Sequence, residues 1–247
     1  MKGVLFASDL HLSPQRPDRI ALFFRLLEQI APRAEAIYLL GDVVEFWVGD
    51  DDVAPAHRAL VEALALAATV CPAVYVMTGN RDFLMGERFF AETKARPLAD
   101  FEVVDLFGTS TLLTHGDLLC INDLKYQAFR QYVRAPDNQR QFLSLPLAER
   151  YRVAAQTRSG TQASMLEKED DIMDVDPDEV VRVMQEHRVS HLIHGHTHRP
   201  AVHRLEGAPL SQRIVLGDWY TGNQVLWCTG AEKKLIGAAE LIGTLAA

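Results

Sequence analysis

Seven side chains of the kinds that hold metal ions stand in five short blocks of the chain. Asp9 and His11 lie in Ser8-Asp9-Leu10-His11, Asp42 follows Gly41, and Asn80 sits in Gly79-Asn80-Arg81-Asp82; His115 precedes Gly116-Asp117, and His196 and His198 lie in His194-Gly195-His196-Thr197-His198. Two carboxylates, one amide and four imidazoles exceed what one ion with open positions would use. They suit two ions with a shared carboxylate, and mixed N and O donors without thiolate favour Mn²⁺, Fe²⁺ or Zn²⁺ over Ca²⁺. Two ions about 3.5–4 Å apart clamp the attacking and leaving oxygens of an in-line displacement at phosphorus, and they lower the pKa of a bridging water so that hydroxide exists near neutral pH. In extended chain, residues i and i+2 point the same way, so Asp9 and His11 are expected to address one point. Singly, each histidine is more simply a packed or surface side chain, and Asp42 after Gly41 a turn. What that leaves unexplained is the shared placement of five blocks after five apolar runs. His57, His187, His191 and His203 lack the placement and are read as structural. His194 is expected to face away, since His196 and His198 share a parity.

The elements that must position these blocks follow from hydrophobic periodicity. Residues 3–8 read as a buried strand, and 18–30 as a helix with Ile20, Phe23, Phe24 and Leu27 on one face. Ile37-Tyr38-Leu39-Leu40 and Val74-Tyr75-Val76-Met77 read as further strands, with an Ala-rich helix over 55–69 between them and a short helix over 86–94 after them. Two strands, 101–107 and 110–114, turn around Gly108. A helix opens with Asp176 as N-cap, Pro177 in the first turn and Glu179 completing a capping box. A strand over 190–193 follows, then several antiparallel strands over 200–237; the Ala- and Leu-rich tail 231–247 fits a strand plus a docked helix. The early order strand, helix, strand, helix, strand argues an α/β core. In such sheets the ligand site lies beyond the carboxyl ends of the strands, which is where every polar block stands.

The stretch 121–168 differs in character. It has helical spacing, little strand signal, and eight Lys or Arg against four Asp or Glu, within a chain whose net charge is -8. It reads as a helical insertion, dividing the chain into a core of 1–120 and 169–247 and a cap of 121–168. Leu124, Phe129, Tyr132, Val133, Phe142, Leu143, Leu145 and Leu147 supply apolar surface, and Arg130, Arg134, Arg140, Arg150, Arg152, Arg158 and Lys168 supply charge. The plainer reading makes these the insertion's own core and a solvated face.

Composition bounds the function. With 247 residues, 48% of them hydrophobic and 23% charged, the chain is an ordinary globular protein. Its acidic balance argues against general nucleic-acid binding. Three scattered cysteines, Cys71, Cys120 and Cys228, imply no disulfide framework and suggest a reducing compartment. No signal peptide is expected. The apolar region 59–77 is broken by Glu62 and Pro72, so no spanning helix is expected either.

The ordered blocks Asp9-x-His11, Gly41-Asp42, Gly79-Asn80-x-Asp82, His115-Gly116 and Gly195-His196-x-His198 resemble the calcineurin-like metallophosphoesterase pattern over about 190 residues. The resemblance implies a two-sheet sandwich flanked by helices (αββα), here with the helical insertion as a cap. It implies that Asp42 bridges two ions, that Asp9, His11 and His198 complete one site, and that Asn80, His115 and His196 complete the other. Many members carry a catalytic His where this chain has Arg81. A guanidinium gives up no proton but can neutralise a phosphoryl oxygen in the transition state. An alkoxide leaving group would miss the acid, whereas a phosphate, with its second pKa near ~6, needs it less. Arg81 therefore tilts the expected substrate toward a pyrophosphate.

Further likeness in Gly79-Asn80-Arg81-Asp82-Phe83-Leu84, Leu118-Leu119-Cys120, Tyr126-Gln127-Ala128-Phe129-Arg130, Ile172-Met173-Asp174-Val175 and Leu192–Pro200 is to the branch of the family that acts on UDP-2,3-diacylglucosamine in lipid A biosynthesis. It implies a hydrolase with two Mn²⁺ per chain that directs metal-activated water at the α-phosphorus and releases UMP and 2,3-diacylglucosamine 1-phosphate. Asp42, His115 and Arg81 are the expected catalytic residues. Asn80, Arg81, Asp123, Tyr126, Arg158, Thr161, Met165, Lys168 and His196 are the expected substrate contacts, although Thr161 and Met165 depart from the residue types of that branch. A monomer in the cytoplasm, peripheral to the inner membrane, is expected. The rival readings are a dinuclear phosphoesterase for another nucleotide or phosphate ester, a nuclease, and a scaffold that has kept the fold without the chemistry.

Overall fold

The structure, a computed structural model, describes residues 2–165, 174–205 and 211–246, with the side chains of 159–165 and 246 not described. Strand β1 (Gly3–Ala7) is followed by helix α1 (Pro17–Ile30), β2 (Ala34–Leu40), α2 (Pro55–Val70), β3 (Val74–Met77), α3 (Glu87–Thr93) and the short β4 (Arg96–Pro97). These strands run parallel in one sheet, as the alternation of strand and helix requires. The sheet is completed on the far side of β1 by two antiparallel strands from the end of the chain, β10 (Gln224–Cys228) and β11 (Lys233–Gly237). The second sheet has β5 (Glu102–Leu106), β6 (Thr109–Leu113), β7 (His191–His194), β9 (Gln212–Val215) and β8 (Ala201–Arg204), in that spatial order. Strands β6, β7 and β9 are mutually parallel, so the carboxyl ends of β6 and β7 leave the sheet together.

The period of two along each strand decides the layers. In β1, Val4 and Phe6 face the other sheet and join Tyr38, Leu40, Met77, Leu113, Ile193, Ile214 and Leu226 in the core between sheets. Leu5 and Ala7 face the opposite way, into the cluster built with α1, α2, α3 and α8 (Ala238–Ala246). On the outer face of the second sheet, Leu112 and Leu192 pack under Val180, Val183 and Met184 of α7 (Pro177–Glu186). The result is helix, sheet, sheet, helix, the αββα sandwich that the resemblance implies. The three cysteines are buried.

Some expectations need adjusting. Asp176 caps α7, accepting from the amides of Asp178 at 3.0 Å and Glu179 at 2.9 Å, but Glu179 forms no capping box. Its carboxylate accepts from Arg182 three residues on, at 2.7 Å, and the Asp176 amide that a capping box would use donates to Leu119 O at 2.9 Å. The strands of 200–237 are not one antiparallel group: β9 runs parallel to β7, and β10 crosses to the first sheet.

Residues 124–165 form three helices, α4 (Leu124–Arg134), α5 (Pro136–Leu143) and α6 (Leu147–Met165). Neither α4 nor α5 has a fully buried side chain, so this stretch has no apolar core of its own there. Polar anchors hold it down instead. Arg130 pairs with Asp117 at 2.7 Å, and Arg134 donates to the carbonyls of Gly79 at 2.9 Å and Thr78 at 3.3 Å. Arg150 donates to Val48 O at 2.7 Å and pairs with Asp51, and Tyr151 Oη donates to Asp52.

Candidate metal centre and its adjoining cavity

Each of the five blocks lies just past the carboxyl end of a strand: β1, β2 and β3 in the first sheet, β6 and β7 in the second. Because the two sheets face each other, five strand ends open onto one edge of the sandwich. Asp9, His11 and His198 bring one ligand atom each within 4.8 Å of one another, and so do Asp9, Asp42 and His115. Asp9 is common to both groups, and Asp42 reaches toward each, with Oδ2 at 3.8 Å from His11 Nε2 and Oδ1 at 3.8 Å from His115 Nε2. Asn80 Oδ1 lies 3.2 Å from His115 Nε2, and His196 packs its ring on His115 at 5.0 Å. All seven predicted ligands thus converge.

The convergence is not produced by strand alternation. Asp9 and His11 both lie in the left-handed region, at φ 54° and 46°, as do Asp42 at 54°, His196 at 69° and His198 at 56°. The strand has ended, and successive left-handed turns aim the side chains. Such conformations cost of order 1–3 kcal/mol each and persist where the surroundings over-determine them, typically at functional sites. Here the surroundings are backbone bonds between blocks: Asp9 N donates to Gly41 O at 3.1 Å, His11 N to Asp42 O at 2.9 Å, Gly195 N to His115 O at 2.8 Å. Side chains add more. His196 N donates to Asp9 Oδ2 at 2.8 Å, and Arg81 N to Asp42 Oδ1 at 2.9 Å. Buried Asp82 accepts from Val43 N and Gly79 N, both at 2.7 Å, stapling the second block to the third. Gly79 has to be glycine, because a Cβ there would collide with the Asp42 carboxylate. The same turns explain His194. It shares even parity with His196 and His198, so alternation alone would have placed all three together. It is still in β7, buried between Gly195 O at 2.9 Å and Arg213 at 3.3 Å. His57 bonds Asp52 at 2.7 Å, His187 packs on Phe101, and neither joins the cluster.

The donors fit divalent cations. His11 is buried and neither ring nitrogen has a hydrogen-bond partner. His115 Nδ1 is committed to Leu40 O at 2.8 Å, which turns Nε2 toward Asp42 and fixes the tautomer a metal ligand needs. The Asn80 amide would, without a cation, be better turned over, its nitrogen donating to Asp42 Oδ2, His196 Nδ1 and His115 Nε2 at 3.2 Å; with its oxygen inward, all four are lone pairs facing one point. The electrostatics agree. Burial drives the Asp42 carboxyl up to about 7, with repulsion from Asp82 and Asp9 adding to it and His115 opposing it. Burial works to lower His115, but Asp42, Asp9 and Asp117 hold it up at about 9. His11 is pushed well below its ordinary value by burial, and His196 to about 4, so both are ready as neutral ligands.

Beside the cluster an apolar cavity opens between the core and helices α4–α6. Phe46, Trp47 and Phe83 form one wall, Phe129, Phe142 and Val153 the other, and Asn80, Arg81, Tyr126 and Arg158 stand where the cavity meets the ligands. A second cavity shares Phe83, Leu84, Phe142 and Val153 with it. Of the expected substrate contacts, Tyr126 bonds Asp117 at 2.7 Å with its ring 5.6 Å from His196, and Asp123 caps α4 through Tyr126 N at 3.1 Å. Arg158 reaches the cluster edge, pairing with Glu45. The side chains of Thr161 and Met165, and Lys168 altogether, lie outside the described residues. Three of the arginines expected to line a basic groove, Arg130, Arg134 and Arg150, are instead engaged in anchoring α4 and α6. Arg140 and Arg152 pair with Asp137 and Glu149 on the surface. Sequence reasoning missed Glu45 and Tyr220, which touch His11 from loops that carry no motif.

Among the described residues, no helix is long and apolar enough to cross a membrane. A solved structure described as a novel archaeal phosphodiesterase aligns with a TM-score of 0.49 at 13% identity, covering 95% of this chain and 98% of its own. The chain is 48% identical over 231 residues to the UDP-2,3-diacylglucosamine hydrolase of Cellvibrio japonicus, covering 93% of this chain and 95% of that one. It is 45% identical to the protein of the same name from Aeromonas salmonicida, covering 94% and 92%. The sequence profile of the calcineurin-like phosphoesterases matches residues 3–200, a span that includes all five blocks, and the chain belongs to that family.

Proposed function

We propose that the protein hydrolyses the pyrophosphate bond of UDP-2,3-diacylglucosamine by attack of water on the α-phosphorus, giving UMP and 2,3-diacylglucosamine 1-phosphate in lipid A biosynthesis. The observation that carries the reading is the junction of two environments: the convergent Asp9, His11, Asp42, Asn80, His115, His196 and His198 side chains beside an apolar cavity roofed by α4–α6. A phosphorylated sugar with two acyl chains needs both. The names of the two relatives point the same way.

Asp9, His11, Asp42 and His198 would hold one divalent ion and Asp42, Asn80, His115 and His196 the other, and Mn²⁺ suits these N and O donors. Such ions supply Lewis acidity and lower the pKa of water toward neutrality. The protein's part is placement. Asn80 and Arg81 bring an amide and a guanidinium to the cavity mouth, where Arg81 neutralises charge that grows on the phosphoryl oxygens. The leaving group is itself a phosphate, so no acid at the position of Arg81 is required. Residues 121–168 serve as the cap that receives the acyl chains over the core of 1–120 and 169–247. Exposed Leu124, Tyr132 and Leu143 on that cap suit contact with the inner-membrane surface from which such a lipid comes. Product analysis in ¹⁸O water tests the central reading: label in UMP is expected, and label in the lipid product would move the attack to the β-phosphorus. Turnover favouring a nitrophenyl monoester would favour the rival phosphoesterase reading. Co-sedimentation with anionic vesicles at low salt tests the membrane contact, and no binding would remove it.

A further inference from the structure

Arg158 projects from the roof helix α6, but what holds its tip belongs to the core. Its Nη1 pairs with Glu45, and its Nη2 donates to Tyr220 Oη at 3.3 Å. Tyr220 Oη in turn donates to Glu45 Oε2 at 2.5 Å. The three groups form a closed triangle at the edge of the ligand cluster. Glu45 Oε2 lies 3.6 Å from His11 Nδ1, and the Tyr220 ring stacks on the His11 ring at 4.7 Å and 28°. Tyr220 is itself braced by buried Arg19, whose guanidinium lies 4.9 Å from the ring centre and whose Nη2 donates to Tyr220 O at 3.1 Å.

We infer that Glu45, braced by Tyr220, is the positioning residue that sets where Arg158 meets the phosphoryl groups of the substrate. The inference rests on the substrate reading above. An arginine side chain carries about 2 kcal/mol of rotamer entropy, and the apolar residues of the roof offer its tip no polar hold. Glu45 and Tyr220 remove that freedom before substrate arrives. The guanidinium has five N–H donors, so it keeps both partners and still presents donors to a phosphoryl oxygen. The pairing also serves Glu45. A bare carboxylate at this edge would repel an incoming diphosphate, and Arg158 cancels its charge. With the side chain of Glu45 13% exposed, solvent screens that charge only weakly, so the cancellation matters.

The test is a double-mutant cycle on the full-length, Mn²⁺-loaded enzyme with UDP-2,3-diacylglucosamine. Glu45→Gln is expected to raise KM about ten-fold with kcat changed less than about two-fold, and Tyr220→Phe to raise KM about three-fold. In an Arg158→Met background, Glu45→Gln should then shift KM by less than about two-fold. Bound metal, measured by elemental analysis, should be unchanged in Glu45→Gln. Additive effects in the cycle would overturn the inference, and so would metal loss that parallels the KM change, since Glu45 would then act through His11 alone. If the wild type does not turn over this lipid, the substrate reading fails, and ¹⁵N relaxation of Arg158 Nε–H in the substrate-free protein decides the positioning claim separately. An ordered signal freed by Glu45→Gln supports it; equal mobility in both proteins overturns it.

Discussion

The strand-end cluster and the cavity beside it are built on opposite principles. The floor of the cluster is buried and over-determined: Asp9 is 0% exposed, Asp42 2% and His115 2%, and each is tied by its backbone to another block, while the His198 side chain at the rim is 35% exposed. The cavity wall is half-open: Phe129 is 38% exposed, and the helix that carries it is fastened by arginines rather than by a core. Rigid placement suits groups that must hold charge to within tenths of an ångström. A loosely packed apolar wall suits flexible chains, which need volume rather than fixed geometry. One site can therefore combine strict chemistry with tolerance for a lipid.

The two regions should respond differently to mutation. The largest effect is expected at Asp42. Asp42→Ala removes the carboxylate that lies 3.8 Å from both His11 and His115, and kcat should fall by about 10³-fold or more, with metal content reduced. Elemental analysis beside steady-state rates checks this, and near-normal turnover would break the distinction between the regions. Filling the cavity comes next. Ala154→Phe should raise KM for a long-chain substrate about ten-fold, a loss equivalent to about two buried methylenes, while a short-chain analogue is spared and metal content holds. Equal losses on both analogues would mean that the acyl chains lie elsewhere. Cutting an anchor is milder for chemistry but visible in stability. Arg150→Met loses its bonds to Val48 O and Asp51 and should cost about 2 kcal/mol, read from denaturant midpoints, with bound metal retained. Metal loss in that variant would show that the roof and the cluster fold as one unit.

The smallest effect concerns pH. His194 is buried beside the cluster with Nδ1 toward Gly195 O and Nε2 toward Arg213, and burial lowers it to about 3. In the unfolded chain it titrates near ~6.5, so on acidification the unfolded state takes up the proton first and stability falls. The loss begins below pH ~6.5, continues toward about 3, and amounts to about 1 kcal/mol over the first pH unit. Melting curves of wild type and the non-titrating His194→Gln between pH 7 and 5.5 should converge on acidification. Parallel curves would contradict the assignment of that loss to His194.

What could be seen in the sequence divides along the same line. Apolar runs ending at Gly41-Asp42, Gly79-Asn80 and Gly195-His196 mark strand ends, and strand ends in α/β sheets mark sites. Alternation in extended chain is not what brings Asp9 and His11 together. Left-handed turns aim them, and no pattern of residue types announces a positive φ at aspartate or histidine. Helices α4–α6 were less legible. Their arginines look alike in sequence, yet Arg130 and Arg150 are anchors, Arg152 is a surface pair, and Arg158 reaches the cluster. Which of these a given arginine becomes depends on acids far away in the chain, such as Asp117 and Asp51. Glu45 and Tyr220 were invisible for the same reason: 175 residues separate them, and only the folded edge of the sandwich brings them to His11.

Two cations held by the ends of five strands should lie on either side of Asp42. Crystals grown with Mn²⁺ and measured at the manganese absorption edge test it most directly. Two anomalous peaks flanking the Asp42 carboxylate are expected, one beside Asp9, His11 and His198 and the other beside Asn80, His115 and His196. A single peak, or peaks away from Asp42, would contradict it.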